Sequence, residues 1–572
     1  MQTNLQFRNL IELFSESLGK VERPDKVCLE IIRAERQEEL TFEQLKTRAE
    51  NFAPWLIQSG DIQVGDKVAI LGKNRADWDV ALWGTILAGA IPVLIDPERG
   101  VEGVINHLVH TNTRLLIMAD DYQDASSRQE LREFAIGKGM DLVEMTDGPL
   151  CAALQYEAGP LDEIREGIET DQTAVILCTS GTTGDPREVE LTHGNFIANI
   201  EGSVQKIRIT SEDRLGHILP PHHSFGLTVG KMMPLSVGAT NVYINKYRQI
   251  AEFIRDKDIT IFIAVPALFT VLAKKIEENL SKAKKDKPLV RLLDHYQPKL
   301  VGKKLIKKLG WTSLRFFLSG SAPMPKWVLD VFWKRGLLLY EGYGTTENSP
   351  VYGFNDRADK LGCVGKPVST LSVEIVNEKK EILGPGAKGE ICLGGPCIMK
   401  GYYENPKATE AAIRVDDAGT RWVHTGDLGY LDEDGDLFIT GRKKYVIVLP
   451  GGKNVNPELV ESALSEAQFV GEILVVPGSH EHSTGIVQET IRALVLPAWD
   501  AIETHTKHCY ADLVKQPQVL KSLVWQSIDE CQRKSRQLSN FEKVSPRHLE
   551  ITIDEFQKTS TGKIRREAYI KF

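Results

Sequence analysis

Twelve residues, "TSGTTGDPREVE" from Thr179 to Glu190, combine four hydroxyls (Thr179, Ser180, Thr182, Thr183) with two glycines (Gly181, Gly184) straight after a short apolar run. Hydroxyls, and backbone N–H groups freed by glycine, are the donors that shape a cradle for phosphate oxygens. The charged residues Asp185, Arg187, Glu188 and Glu190 leave this stretch at −2, so it cannot itself neutralise a polyphosphate. It is not a Walker loop. Gly181 and Gly184 lack the G-x-x-x-x-G-K-[ST] spacing, and the following "EVELTHGN" reads as a strand before any helix. A candidate cation stands far away at Lys563, in "KTSTGKIRR" (Lys558–Arg566), although Gly562, Arg565 and Arg566 around it would equally suit a solvated basic tail.

The apolar run before the loop is "TAVILC" (Thr173–Cys178). It has counterparts in "KVAIL" (Lys67–Leu71), "RLLIMA" (Arg114–Ala119), "ITIFIAV" (Ile259–Val265) and "LRFFLS" (Leu314–Ser319). These runs are continuously apolar and alternate with helical patterns, as strands buried on both faces of a parallel sheet do. After about residue 350 the texture changes to short strands with Gly-rich turns ("LSVEIV", "GEICLGG", "RWVHTGDLGY", "GDLFITG"), which predicts a small antiparallel barrel or sheet. Beyond "GRKKYVIVLPGG" the order helix, strand, strand, long helix, strand predicts a small α+β domain. The expected fold is α/β. Residues 1–443 form a large domain, with parallel α/β subdomains to about 350 and a β-barrel at about 351–443, and residues 444–572 form the small domain.

A chain of 572 residues is too long for one ordinary core. Its 42% hydrophobic and 26% charged residues are those of a globular protein, and a net charge of −8 argues against general affinity for nucleic acid. Eight cysteines without a C-x-x-C pair read as reduced, mostly buried thiols in the cytoplasm. Cys392 and Cys397 have no His at zinc spacing, and His505, His508 and Cys509 fit a surface helix better than a metal site. The first residues lack a signal-peptide pattern. "VALWGTILAGAIPVLI" (Val80–Ile95) contains Pro92 and is short for a membrane span, so it reads as a buried helix running into a buried strand.

Seven blocks in one order resemble the adenylate-forming superfamily of acyl-CoA synthetases, luciferases and peptide-synthetase adenylation domains. They are the phosphate loop, "LPPHHSFG" (Leu219–Gly226), "LSGSAPMP" (Leu318–Pro325), "YEGYGTTENSP" (Tyr340–Pro350), "HTGDLGY" (His424–Tyr430), "GRKKYVIVLPGGKNVNPELVE" (Gly441–Glu461) and "KTSTGKIRR". The resemblance runs from about Thr41 to the C-terminus. It implies a carboxylate that attacks the α-phosphate of ATP to give an acyl-adenylate and pyrophosphate, then a thiol that displaces AMP. It assigns Glu347 to Mg²⁺, Thr346 to the α-phosphate, Lys563 to the bridge between carboxylate and phosphate oxygens, and His223 to an aromatic gate. It places Gly320, Ser321, Ala322, Tyr343, Gly344 and Thr345 around adenine and phosphate, Asp427 on the ribose hydroxyls, and Arg442 near the ribose or phosphate. Lys444 falls at the hinge about which the small, mobile domain rotates, and Gly451, Gly452 and Lys453 lie in the loop that meets the thiol.

The expected acyl pocket follows His223 and the run "AVPALF": Phe225, Gly226, Leu227, Val229, Val265, Leu268 and Phe269. No Asp stands where an amino-acid ammonium would pair, which favours an aliphatic or aromatic acid. The wording "HSFGLTVG" resembles medium- to long-chain fatty-acyl ligases, with coenzyme A as the expected acceptor. Between Lys274 and Lys308 twelve Lys/Arg face four acids, giving +8 locally and leaving −16 elsewhere. This segment reads as a solvated helical surface or as a dock for acyl carrier protein, coenzyme A phosphates or a membrane surface. A non-catalytic sensor of nucleotide or acyl-adenylate is the alternative of a different class, and the presence of Glu347, Asp427 and Lys563 speaks against it.

The chain departs from the usual Lys-Gly after the loop proline, with Arg187 and Glu188. Arg keeps the charge in a planar fork. Glu188 is expected to turn away from phosphate and pair with Arg187 or a neighbouring helix. Tyr445 stands where an acid is common.

Overall fold

The computed structural model describes residues 7–19, 21–33, 37–145, 161–179, 187–244, 249–286, 288–449, 453–481, 487–535, 538–559 and 562–570. The apolar runs become interior strands of two large sheets. In one, strands at Leu115–Ala119, Lys67–Leu71 and Ile91–Ile95 lie side by side in parallel, followed by β1 (Thr173–Thr179). β1 then pairs antiparallel with β2 (Arg187–Thr192), and Gly401–Tyr402 closes that edge. In the other, Thr240–Ile244, Arg214–His217, Ile261–Ala264, β3 (Phe316–Ser319) and β4 (Leu339–Tyr343) run parallel, with antiparallel strands at both edges. The sheets are therefore mixed, parallel at their centres. The antiparallel step at β1–β2 follows from chain length, because the few residues between them suffice for a hairpin but not for a crossover.

Helix starts follow local chemistry. Thr41 and Gln44 form a reciprocal capping box before the helix Phe42–Gln58, and Thr192 with Asn195 does the same for His193–Ile207. The second cap turns the chain from β2 straight into a helix. The run Val80–Ile95 divides as expected, into a helix at Ala76–Leu87 and a strand at Ile91–Ile95. No helix among the described residues is long and apolar enough to cross a membrane.

The expected barrel is replaced by an open five-stranded antiparallel sheet. β5 (Arg421–Leu431) pairs with Gly389–Gly394, with the three-residue strand Ile413–Val415 and with β6 (Leu437–Arg442), and Ser372–Val376 forms an edge. Closure requires strands long and tilted enough for the edges to meet. Here two partners share different stretches of one long strand, and the edge stays open. After Tyr445 the chain assembles a separate core, including Val455, Val460, Leu464, Val475, Val495, Val524 and Leu549, around a three-stranded sheet. Hydrogen bonds that join this part to the large one include those from Lys274 Nζ to the Val470 carbonyl at 2.7 Å and from Trp327 Nε1 to Ser465 Oγ at 3.1 Å.

Candidate active site

β6 aligns Arg442 directly opposite Asp427 of β5, so strand register alone brings their charges together. Arg442 Nε donates to Asp427 Oδ1 at 2.7 Å, and Tyr343 at the end of β4 donates its hydroxyl to Oδ2 at 2.8 Å. Burial, then Asp427, pushes the Tyr343 phenol well above its usual range, so it remains a donor.

The next turn, Thr346–Asn348, is pinned from inside. Asn348 Oδ1 accepts from the Thr345 N–H at 2.6 Å, and Asn199 Nδ2 donates to the carbonyls of Asn348 and Val351 at 3.1 and 2.8 Å. Gly344 has no substitute there, since a Cβ would lie 1.6 Å from the Pro350 carbonyl oxygen. Thr346 Oγ1 lies 3.2 Å from Ser224 Oγ, and Glu347 Oε1 accepts from the Tyr402 hydroxyl at 3.0 Å. The Glu347 carboxylate stands on a polar, solvent-connected wall, a hard oxygen ligand with room for water around it, which fits Mg²⁺.

These groups border a cavity of about 780 Å³. Of the residues singled out in the sequence, it brings together Arg187, His223, Phe225, Val229, Gly320, Ser321, Tyr343, Gly344, Thr345, Thr346, Glu347, Arg442 and Lys563. Ser321 holds a left-handed backbone angle (φ 75°), an uncommon conformation for a residue with a side chain, at the turn after β3. His223 Nδ1 accepts from the Phe225 N–H at 3.3 Å, and its burial beside His222 lowers its pKa to about 4, so the ring is neutral with its proton on Nε2. Lys563 reaches the cavity from the C-terminal part. Burial, then Arg442, lowers its pKa, and among the described residues its ammonium makes no hydrogen bond.

Other candidates lie elsewhere. Asp427 is buried behind Tyr343 and Arg442, and Ala322 does not line the cavity. Leu227 and Phe269 are core residues, Val265 and Leu268 pack against core clusters, and a Cβ on Gly226 would meet the Pro220 carbonyl oxygen at 2.0 Å. The apolar wall is made by Phe225 and Val229 of the expected set together with Leu318 and Val351. Lys444 lies 3.4 Å from Glu567, and Lys453 sits over the Phe541 ring at 5.2 Å. Thr179 ends β1. The Thr179 side chain, Ser180, Gly181, Thr182, Thr183, Gly184, Gly451 and Gly452 are outside the described residues.

Three residues gain partners that sequence reasoning missed. Tyr402 holds Glu347 and carries the Arg187 guanidinium over its ring at 5.0 Å; the "GYY" at 401–403 was the available signal. Tyr445 donates to Glu567 at 2.6 Å, four residues after Lys563. Cys392 pairs across strands with His424, Sγ to Nδ1 3.2 Å, a partnership that sequence spacing hides. Glu188 points to the helix α1 (Val101–His110), as alternation along β2 allows when Arg187 faces the cavity.

The profile of the AMP-binding enzyme family matches residues 20–403. The chain belongs to that family. Among curated relatives of this AMP-binding enzyme, 4-coumarate–CoA ligase 3 of Arabidopsis thaliana is 30% identical over 480 residues, covering 80% of this chain and 78% of the relative. The long-chain-fatty-acid–CoA ligase of Escherichia coli O157:H7 is 25% identical over 506 residues, covering 82% and 83%. Among solved structures, ATP-bound MatB from Rhodopseudomonas palustris superposes with a TM-score of 0.75 at 25% identity over 98% of each chain.

Proposed function

We propose that this AMP-forming acid–coenzyme A ligase activates a medium- or long-chain fatty acid. ATP, Mg²⁺ and coenzyme A are its co-substrates. The observation that carries the mechanism is the meeting in one cavity of Lys563, from the C-terminal part, with Thr346, Glu347 and Arg442. Two anions must approach in the first half-reaction, and preorganised cations and donors are what lower that barrier. A carboxylate oxygen attacks the α-phosphorus, and the bond to the leaving pyrophosphate breaks. Lys563 bridges the two reacting groups, Thr346 donates to the α-phosphate, and Tyr343 and Arg442, both fixed by Asp427, hold the ribose. Glu347 would hold Mg²⁺, which would supply charge neutralisation at the phosphates. In the second half-reaction the thiol sulfur attacks the acyl carbonyl and AMP leaves. Rotation about Lys444 withdraws Lys563 and presents the 451–453 loop.

The fatty-acid reading rests on the apolar wall of Phe225, Val229, Leu318 and Val351 and on the fatty-acid relative. The coumarate relative marks the competing class of acid. A second reading, acyl carrier protein as acceptor, is favoured by exposed Lys299, Lys303, Lys304, Lys307 and Lys308 along the helix Pro298–Leu309. Pyrophosphate release is measured across fatty, aromatic and dicarboxylic acids, then thioester yield with each acceptor. Best turnover on a fatty acid with coenzyme A is expected. Preference for an aromatic acid would overturn the acid assignment, and no pyrophosphate with any acid would leave a nucleotide-binding sensor.

A further inference from the structure

A second constellation sits one layer behind the cavity wall. Cys178 of β1 and Glu188 of β2 are directly paired across the antiparallel ladder, so both side chains leave the sheet on one face. α1 packs on that face and presents His107 and His110, one helical turn apart. His107 Nδ1 lies 2.6 Å from Glu188 Oε1, and His110 Nδ1 3.1 Å from Oε2. One donor atom from each of His107, Cys178 and Glu188 falls within 4.8 Å of the other two, and all three residues are buried. His107 Nε2 is buried with no hydrogen-bond partner among the described residues, so hydrogen bonding alone leaves the ring half-satisfied. Cys178 also borders the large cavity, which supplies an entry path.

We propose that His107, Cys178 and Glu188 bind one divalent transition-metal ion of the zinc class between α1 and the β1–β2 ladder, with His110 or water completing the shell. Nitrogen, sulfur and carboxylate oxygen are the donor set that a borderline-soft cation takes tetrahedrally. Charge agrees. One thiolate and one carboxylate neutralise a 2+ ion while the imidazoles stay neutral, giving a buried assembly with no net charge. On binding, the Cys178 S–H bond breaks, sulfur bonds to the metal and one proton goes to solvent. A second group of ligand-type residues, Asp432, Asp434 and Asp436, makes a useful contrast. There Lys360 Nζ already stands 2.5, 2.6 and 2.7 Å from the three carboxylates and supplies the cation. Among the described residues the ion-pair partners of the Glu188 carboxylate are the two histidines. A metal here would staple the two strands on either side of residues 180–186, whether or not the enzyme's acid is a fatty acid.

The test uses the full chain, stripped with chelator and titrated with Co²⁺, then competed with Zn²⁺. One equivalent of Co²⁺ is expected to give a thiolate-to-cobalt absorption that Zn²⁺ abolishes. Cys178→Ser should remove the band, and His107→Gln should weaken binding by more than the roughly 10–100-fold typical of losing a residue behind a ligand. Melting of each metal-free variant reports whether it folds, and metal should raise the melting temperature of the parent alone. Absence of a stoichiometric band in the parent would overturn the site and leave a Glu–His clamp. So would a full band surviving in folded Cys178→Ser, which would point to the exposed Cys509 instead.

Discussion

The two walls of the cavity hold their charges in different ways. On the wall built before residue 443, Asp427 is engaged by both Arg442 and Tyr343, and Glu347 by Tyr402. These groups are set by strand register and by a pinned turn, and their geometry does not wait for a ligand. On the other side Lys563 is partly buried, burial and then the like-charged Arg442 lower its pKa against the opposing pull of Glu458 and Asp427, and its ammonium has no hydrogen bond among the described residues. A partly desolvated cation with no carboxylate in direct contact is less favourable than a paired one. An anion in the cavity would offset that penalty, and under the proposed mechanism this couples closure of the C-terminal part to binding of phosphate. In the proposed mechanism the paired wall recognises the nucleoside, and the lysine serves one step.

The largest effect expected from breaking this contrast is Lys563→Ala, which should slow acid-dependent pyrophosphate release by about 10²–10³, the range seen when one preorganised transition-state donor is lost. Glu341 sharpens it with another uncompensated group. Among the described residues this buried carboxyl accepts only from the Met324 N–H, and burial raises its pKa to about 7 from 4.5. The folded state therefore keeps a proton that the unfolded state has released between those pH values. Stability falls as pH rises from 4.5 to 7 and is level above, by about 3 kcal/mol at most. Denaturant unfolding at pH 5 and pH 8 should show this loss, and Glu341→Gln should flatten it. Tyr445→Phe removes the contact to Glu567 that positions the segment after Lys563. With Glu567 partly exposed, about 1 kcal/mol is at stake, so adenylate formation should fall roughly fivefold with thioester formation unchanged. Trp327→Phe, which loses only the bond to Ser465, should alter the adenylation rate about twofold or less.

The sheet interiors were legible because strands buried on both faces leave an unbroken apolar signature, and "KVAIL" and "LRFFLS" became central strands. The blocks around Glu347, Asp427 and Lys563 were legible as motifs, but sequence spacing could not show that Asp427 and Arg442 are cross-strand neighbours. The acyl wall was read only in part. Leu227 and Leu268 are as apolar as Val229 and Leu318, and hydrophobicity alone does not tell a side chain facing the core from one facing a cavity. Barrel closure depends on strand length and shared partners, which local Gly-rich turns do not encode. The turning away of Glu188 was foreseeable from strand alternation, whereas its histidine partners come from a helix some eighty residues earlier.

The central claim is that Lys563 serves the first half-reaction and leaves before the second. Purified acyl-adenylate and coenzyme A, supplied to Lys563→Ala in a single-turnover thioester assay, test it most directly. Thioester formation within about threefold of the parent enzyme, alongside the large loss in adenylate formation, is the expected result. An equal loss in both halves would contradict the account.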